Sequence, residues 1–251
     1  DTKKLWVSQK YNPLRKSKKI TQKEVEAITQ WAPLAVKINP LIYRSVDVSY
    51  GKKKIKASLF TPRGATLKEQ KKEGFVFLNS KIYGRVYTPE EEIKKERVAV
   101  INETMAKKLF KSESPLNSEV RINNISFDIV GFCKDTGSES LFGSEPRVYV
   151  PLETALKRVF GQTGFDYIEI IAPSPVDTQT AREQVIMALR KIHQKDETME
   201  DDFEVKTFEV QIQKFKEMMG KVSLVVYAIA GISLLVGGIG IMNIMFVSVT
   251  E

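Results

Sequence analysis

The chain is poor in the side chains that carry most enzyme chemistry. Its 251 residues include one cysteine, Cys133, and one histidine, His193. A single thiol excludes an intrachain disulfide and a cysteine-built zinc site. Neither GxxxxGKS nor GxxxxGKT occurs, so no P-loop is present. The acidic run Asp196, Glu197, Glu200, Asp201 and Asp202 lacks the spaced ligand pattern of an EF-hand and reads as a solvated loop. His193 falls at the end of a helical segment, near Lys191 and Lys195, where an imidazole interacts favourably with the helix C-terminus. The sequence therefore predicts no catalytic residue, no cofactor and no metal site.

Charge is missing altogether from one long stretch. Val222 to Thr250 covers 29 positions without a Lys, Arg, Asp or Glu. About 20 apolar residues cross a bilayer core as a helix, and a single span must be helical because lipid offers no partner to backbone amides. Its place at the C-terminal end excludes a signal peptide. The chain lacks an N-terminal Met and opens in polar residues, as expected of a fragment with its upstream part missing.

Charge of one sign dominates elsewhere. Residues 1–85 hold 20 Lys and Arg against 6 Asp and Glu, and the remainder holds 19 against 25. A basic region of this kind attracts anionic lipid, cell-wall polymer or nucleic acid; it also fits a lysine-rich solvated surface. Few aromatics lie among these lysines, which argues against stacking on bases and hence against a nucleic-acid partner.

The pattern before residue 209 alternates α and β. Thr21–Glu24 is a capping box that opens a helix to Trp31. Pro33 and Pro40 bracket a strand candidate, Leu34–Ile38. Arg44–Tyr50 and Lys54–Phe60 alternate like strands. Pro62–Glu73 is polar. Thr88-Pro89-Glu90-Glu91 is a second capping box with Pro at the first helical position. Arg97–Ile101 reads as a buried strand, with Asn102 capping a helix from Glu103 to Phe110. Asn123-Asn124 suits a two-residue turn between strands Glu119–Ile122 and Ile125–Cys133. After a Gly/Ser-rich loop, Gly137–Glu145, come a strand at Arg147–Val150 and a helix at Leu152–Phe160. Asp166–Ala172, Thr180–His193 and Phe203–Phe208 read as β-α-β, with a third capping box at Thr180–Glu183.

The last segment predicts one unbroken helix from about Glu209 to Thr250. Ile212, Phe215, Met219 and Val222 recur at helical spacing, set against Lys214, Lys216 and Glu217. The stripe continues as Val226, Ala230, Ser233, Gly237 and Gly240. Small residues on one face allow close approach of another helix. Gly220 is the natural place for a bend.

These residues carry a family resemblance. Ala230-Gly231-Ile232-Ser233-Leu234-Leu235-Val236-Gly237-Gly238-Ile239-Gly240-Ile241-Met242-Asn243-Ile244-Met245, followed by Val247–Glu251, resembles the second transmembrane helix of MacB/FtsX-type ABC transporter permeases. Gly84-Arg85-Val86-Tyr87-Thr88 is similar to the family's Gly-Arg-x-aromatic-Thr element. Val98–Glu103, Ala106–Phe110 and Val148–Leu152 fit the same extracytoplasmic domain in the same order. The lysine-rich front third, Gly51–Gly74 above all, departs from the pattern.

The resemblance implies an α+β architecture: a mixed α/β extracytoplasmic domain of two subdomains, followed by one transmembrane helix. The expected division is a first porter-like lobe (1–75), an inserted mixed α/β subdomain (76–150), a second porter-like lobe (151–208), a stalk helix (209–221) and the membrane helix (222–250). It further implies a permease dimer in the cell membrane, served by a cytoplasmic ATP-binding subunit and an adaptor of the membrane-fusion type. Ile212, Phe215, Met219, Ala230, Ser233, Gly237 and Gly240 are then the expected helix-packing and transmission residues, in contact with membrane lipid and a second helix. A regulator of cell-wall hydrolases of the FtsX type and a single-span anchored binding domain are the alternatives.

Overall fold

The computed structural model describes residues 3–10, 19–61, 81–111, 113–135, 145–161, 164–196 and 198–250. The expected polar stretch Pro62–Glu73 and most of the Gly/Ser-rich loop 137–145 lie outside these residues. Two compact units are present, Asp1–Val205 and Lys206–Glu251.

In the first unit, one sheet has four strands: β1 (Lys4–Gln9), β2 (Lys37–Leu41), β10 (Tyr167–Ile171) and β11 (Phe203–Thr207), in the order β11-β1-β10-β2. β10 is antiparallel to both β1 and β2. Because β10 sits between strands joined by helix α1 (Gln22–Trp31), the arrangement is a split βαβ. Leu5, Val7, Ile168, Ile170, Phe203 and Val205 are buried on one face of the sheet. Ala27 and Ile28 of α1 belong to the same interior, as do Ala181, Val185 and Leu189 of the later helix α5 (Thr178–Ile192).

The α1 capping box forms as expected, with the Thr21 amide donating to Glu24 at 2.9 Å. The third expected box does not form. Helix α5 starts at Thr178 after Asp177, placing Thr180 inside its first turn. Gln179 donates to Glu183 at 3.0 Å, so the Glu183 carboxylate has a partner one turn away. The strand expected at Leu34–Ile38 lies further on, at Lys37–Leu41, and contains Pro40. β2 is the outer strand of its sheet, and an edge tolerates a residue without an N–H.

The second sheet closes on itself. It contains β3 (Tyr43–Tyr50), β4 (Lys53–Phe60), β5 (Ile82–Gly84), β6 (Val98–Asn102), β7 (Glu119–Ile122), β8 (Ile125–Cys133) and β9 (Arg147–Tyr149). The order is β5-β8-β6-β9-β4-β3-β7, and β7 pairs back onto β8. β3, β4, β9, β6, β8 and β7 therefore make a closed ring without an edge, and β5 lines the C-terminal half of β8. Asn123 and Asn124 take φ of +46° and +70°, the left-handed pair required by a tight hairpin turn. Helix α2 (Pro89–Ile93) precedes β6. Helix α3 (Glu103–Phe110), capped by Asn102 accepting from the Met105 amide at 3.1 Å, buries Met105, Ala106, Leu109 and Phe110 against the strands. Helix α4 (Leu152–Thr154) runs into a π-helical turn, Ala155–Val159, and leads back to the first sheet.

Both sheets share one hydrophobic core. Arg44 at the start of β3 grips Asp166, just before β10, with Nη2 at 2.6 Å and Nε at 2.8 Å, and its guanidinium lies 4.6 Å from the Phe160 ring centroid. Within the four-stranded sheet, Glu169 is 1% exposed and meets Lys4 at 3.3 Å and Asn39 at 3.3 Å. A buried carboxylate of this kind persists only with such partners.

Candidate functional site

The second unit is dominated by one helix, α6 (Phe208–Thr250), 43 residues long. At 1.5 Å per residue it extends roughly 64 Å, about twice the hydrocarbon thickness of a bilayer. The Val210 amide donates to Thr207 Oγ1 at 3.2 Å, satisfying one of the free amides of its first turn. The helix continues through Gly220 without a break in its assignment. Its most apolar stretch is Phe215–Met242, 28 residues with mean hydropathy 2.3 and no part buried within the chain. The hydropathic span therefore starts inside the segment expected as a stalk.

Ile212, Phe215, Met219, Ala230, Ser233, Gly237 and Gly240 all lie on α6 and all are exposed. At 3.6 residues per turn they fall within an arc of roughly 80°. Ser233 satisfies its hydroxyl on its own helix, donating to the Ile229 carbonyl at 2.9 Å. Among the described residues, a Cβ at Gly231, Gly237, Gly238 or Gly240 would meet nothing within 4 Å beyond the helix's own neighbouring backbone. The upper part of the stripe is bulky and the lower part flat. That shape suits packing on another helix more than burial in this domain.

The Gly-Arg-x-aromatic-Thr element is a local construction joining β5 to α2. Gly84 has φ of +79°, and a Cβ there would stand 2.6 Å from the Val130 carbonyl oxygen. Gly131 across the pair is tighter: a Cβ would lie 2.2 Å from the Arg85 carbonyl oxygen. The register shift between β6 and β8 falls here, leaving Val130 without a partner on β6. Arg85 then reaches Glu91 with both terminal nitrogens, at 2.7 and 2.8 Å. The ion pair holds the Glu91 carboxyl below the ordinary range. Glu91 also accepts from the Thr88 amide at 2.7 Å, closing the expected capping box. Tyr87 is fully buried and donates to the Val150 carbonyl at 3.3 Å; burial pushes its phenol well above the usual value.

His193 caps α5, as its position in sequence suggested, but its partners lie elsewhere. Nδ1 is 2.7 Å from Asp202, ahead of β11, and Nε2 is 3.3 Å from Glu24 on α1. Phe203 meets the ring edge-on at 5.6 Å. The Glu24 bond raises the imidazole above its ordinary value; burial opposes this, and Asp202 reinforces it. Burial pushes the Glu24 carboxyl up, but bonds from His193 and Thr21 outweigh it and hold it at about 2. The imidazolium thus clamps α1, α5 and the entry to β11 together.

Cys133 is buried, with its sulfur 3.6 Å from the Ile101 carbonyl. Among the described residues, no group of three or more His, Cys, Asp or Glu is placed to hold a metal ion.

Comparison with known proteins gives one answer. Residues 3–188 match the MacB-like periplasmic core domain. The macrolide export ATP-binding/permease protein MacB of Bdellovibrio bacteriovorus is 34% identical over 171 residues, covering 68% of this chain and 26% of that protein. The ABC transporter permease YknZ of Bacillus subtilis is 36% identical over 182 residues, 71% of this chain and 44% of its own length. The pyoverdine export protein PvdT of Pseudomonas aeruginosa is 32% identical over 169 residues, 67% of this chain and 25% of that one. The chain therefore spans about a quarter of the length of its MacB and PvdT relatives. The fold matches the periplasmic region of MacB from Actinobacillus actinomycetemcomitans with a TM-score of 0.67 at 18% identity, over 86% of this chain and 93% of that one. The extracellular domain of YknZ matches at 0.63 and 15% identity, over 81% of this chain and 100% of that one. The chain belongs to the MacB-like periplasmic core domain family and forms the extracytoplasmic domain of a MacB/FtsX-type ABC transporter permease, with one candidate membrane helix at its C-terminal end.

Proposed function

We propose that this domain couples ATP hydrolysis in a cytoplasmic nucleotide-binding partner to work outside the membrane, by mechanotransmission through α6. One observation carries the reading. β11, an outer strand of the four-stranded sheet, is followed directly in sequence by a 43-residue helix. The backbone contact of Lys10 with Asp202 at 2.8 Å sets β1 antiparallel to β11. The strand that enters the sheet therefore begins at the end where β11 leaves it. This topology suits a domain inserted between two membrane helices, whose relative movement would act on neighbouring strands.

The division of labour follows the two sheets. The split βαβ sheet is the porter-like part that receives the movement, and the closed barrel is the inserted part that it carries. The arc from Ile212 to Gly240 packs against a helix of the same subunit or of a second permease copy. Export is the work favoured by the names of MacB and PvdT, and an adaptor of the membrane-fusion type is the partner we propose for it. The test uses the complete transporter. Gly237→Leu and Gly240→Leu should insert normally, since Leu favours bilayer burial, and should abolish export while ATP hydrolysis persists. Val225→Leu is the control. Full export by both glycine variants at matched expression would leave α6 as an anchor only.

A further inference from the structure

The closed barrel has two ends. One carries Tyr43 and Phe60, next to β2 and the four-stranded sheet. The other carries the β3–β4 turn, the C-terminal ends of β6 and β8 and the start of helix α3; the β7–β8 turn points the opposite way, because β7 is antiparallel to β3. The second end is basic. Lys52 and Lys53 lie at the β3–β4 turn, and Lys54 and Lys56 stand exposed along β4 while Ala57 and Leu59 of the same strand are buried. Lys54 pairs with Ser49 on β3, and Ser49 pairs with Arg121 on β7, so two cations flank a hydroxyl in one row across three strands.

Helix α3 brings a separate segment to the same end. Lys53 Nζ donates to the Leu109 carbonyl at 2.7 Å, and the Tyr50 and Phe110 rings lie 4.2 Å apart. These contacts place Lys108 and Lys111, both exposed, beside the turn lysines. Carboxylates lie among these cations: Asp47 on β3, directly opposite Lys56, with Glu113, Glu119, Glu103 at the start of α3, Asp135 after β8 and Glu145 before β9. Glu103 is taken by Lys107 at 2.7 Å and Asp135 by the Asn102 and Thr104 donors. Asp47 meets Lys54 at 3.0 Å, and Glu119 accepts from Ser126 at 2.6 Å. Among the described residues, Lys52, Lys56, Lys108, Lys111 and Arg121 have no carboxylate partner.

What this surface omits decides its occupant. Among the described residues of the first unit, none of the exposed large apolar side chains lies at this end; they are Val36, Tyr43, Ile93, Tyr167, Val176, Met187 and Met199. A protein interface needs buried aromatic or aliphatic anchors, and a bilayer-inserting surface needs an apolar wedge. Base recognition needs stacking rings. Among the described residues, charge and hydroxyls dominate what is exposed here. Lys54 and Lys56 share one strand face, about 7 Å apart, so an extended chain of anions can meet them in turn. Lysine binds phosphate as a point charge, without the paired geometry that carboxylates find in arginine.

We propose that this end of the barrel is a docking surface for a linear, phosphate-bearing polyanion on the extracytoplasmic side of the membrane. The test uses the full chain in neutral detergent and fluorescent long-chain inorganic polyphosphate as probe. A Lys52→Gln, Lys56→Gln, Lys108→Gln variant should bind at least about tenfold more weakly near 0.1 M salt, with the slope of log affinity against log salt reduced by about 2. A control with Lys23→Gln, Lys157→Gln and Lys191→Gln removes as much charge and should lose less than about twofold, because distant charges are screened. Equal losses in the two variants, or no binding by the unaltered chain, would overturn the proposal. Equally tight binding of poly-L-glutamate would overturn the phosphate assignment. Vesicles of anionic lipid that bind with the same lysine dependence while polyphosphate does not would assign the surface to the membrane instead.

Discussion

Replacing His193 by alanine should destabilise the first unit by an amount that depends on pH. The imidazolium bridges Glu24 at 3.3 Å and Asp202 at 2.7 Å. Glu24 falls from 4.5 to about 2. At 1.36 kcal/mol per unit the fall corresponds to a net, pH-dependent stabilisation from Glu24 of at most roughly 3.4 kcal/mol, its bonds less the cost of burial. The Thr21 bonds survive the substitution, and the clamp lies near enough to solvent for screening, so about 1–2 kcal/mol is the expected loss near pH 6. The signs then fix the window. His193 is raised above 6.5, so its contribution is complete below 6.5 and disappears as pH rises through the higher folded value. Glu24 and Asp202 are lowered, so theirs is complete above their ordinary values and disappears as pH falls, for Glu24 through about 2. The clamp is therefore strongest between about pH 4.5 and 6.5. Trp6 and Trp31, the only tryptophans, both belong to the first unit, so urea unfolding followed by their fluorescence reports on it alone. His193→Gln, which keeps polar contacts but not the charge, should flatten the alkaline fall. A cost of His193→Ala that is constant from about pH 5 to 9 would refute the ion-pair account.

Two further substitutions test the local constructions. Gly131→Ala places a methyl 2.2 Å from the Arg85 carbonyl oxygen and should cost about 2–4 kcal/mol in urea unfolding, whereas Gly51→Ala, with φ of +55° and open space, should cost only about 1 kcal/mol. Thr21→Ala, which removes a formed capping box, should lose about 1 kcal/mol, and Thr180→Ala, inside a helix that starts earlier, should stay within about 0.5 kcal/mol.

Local chemistry made much of the fold legible in sequence. The Asn123-Asn124 turn located the β7–β8 hairpin, Thr88 and Pro89 located α2, and the charge-free run located α6. What the sequence could not show was pairing between distant segments. The parallel contacts of β6 with β8 and of β4 with β9 close the barrel, yet no short-range pattern encodes them. The third capping box at Thr180 was a correct motif in the wrong place, because Asp177 had already started the helix. His193 could be read as a helix end, but Glu24 lies 169 residues away along the chain. The lysines of the front third looked scattered; strand alternation gathers Lys52, Lys54 and Lys56 at one end of the barrel, where helix α3 adds Lys108 from later in the chain. The α6 stripe was readable because helical spacing alone defines it.

The central claim is that α6 conveys work. Gln213→Pro tests it, since Gln213 lies on α6 just outside the apolar stretch Phe215–Met242. Proline there removes a helix bond and clashes with the preceding turn, breaking the helix before the span without altering the span itself. ATP hydrolysis and transport should be measured on the same proteoliposomes containing the complete transporter. Persistent hydrolysis with transport lost is the predicted result; transport equal to that of the unaltered protein would contradict it.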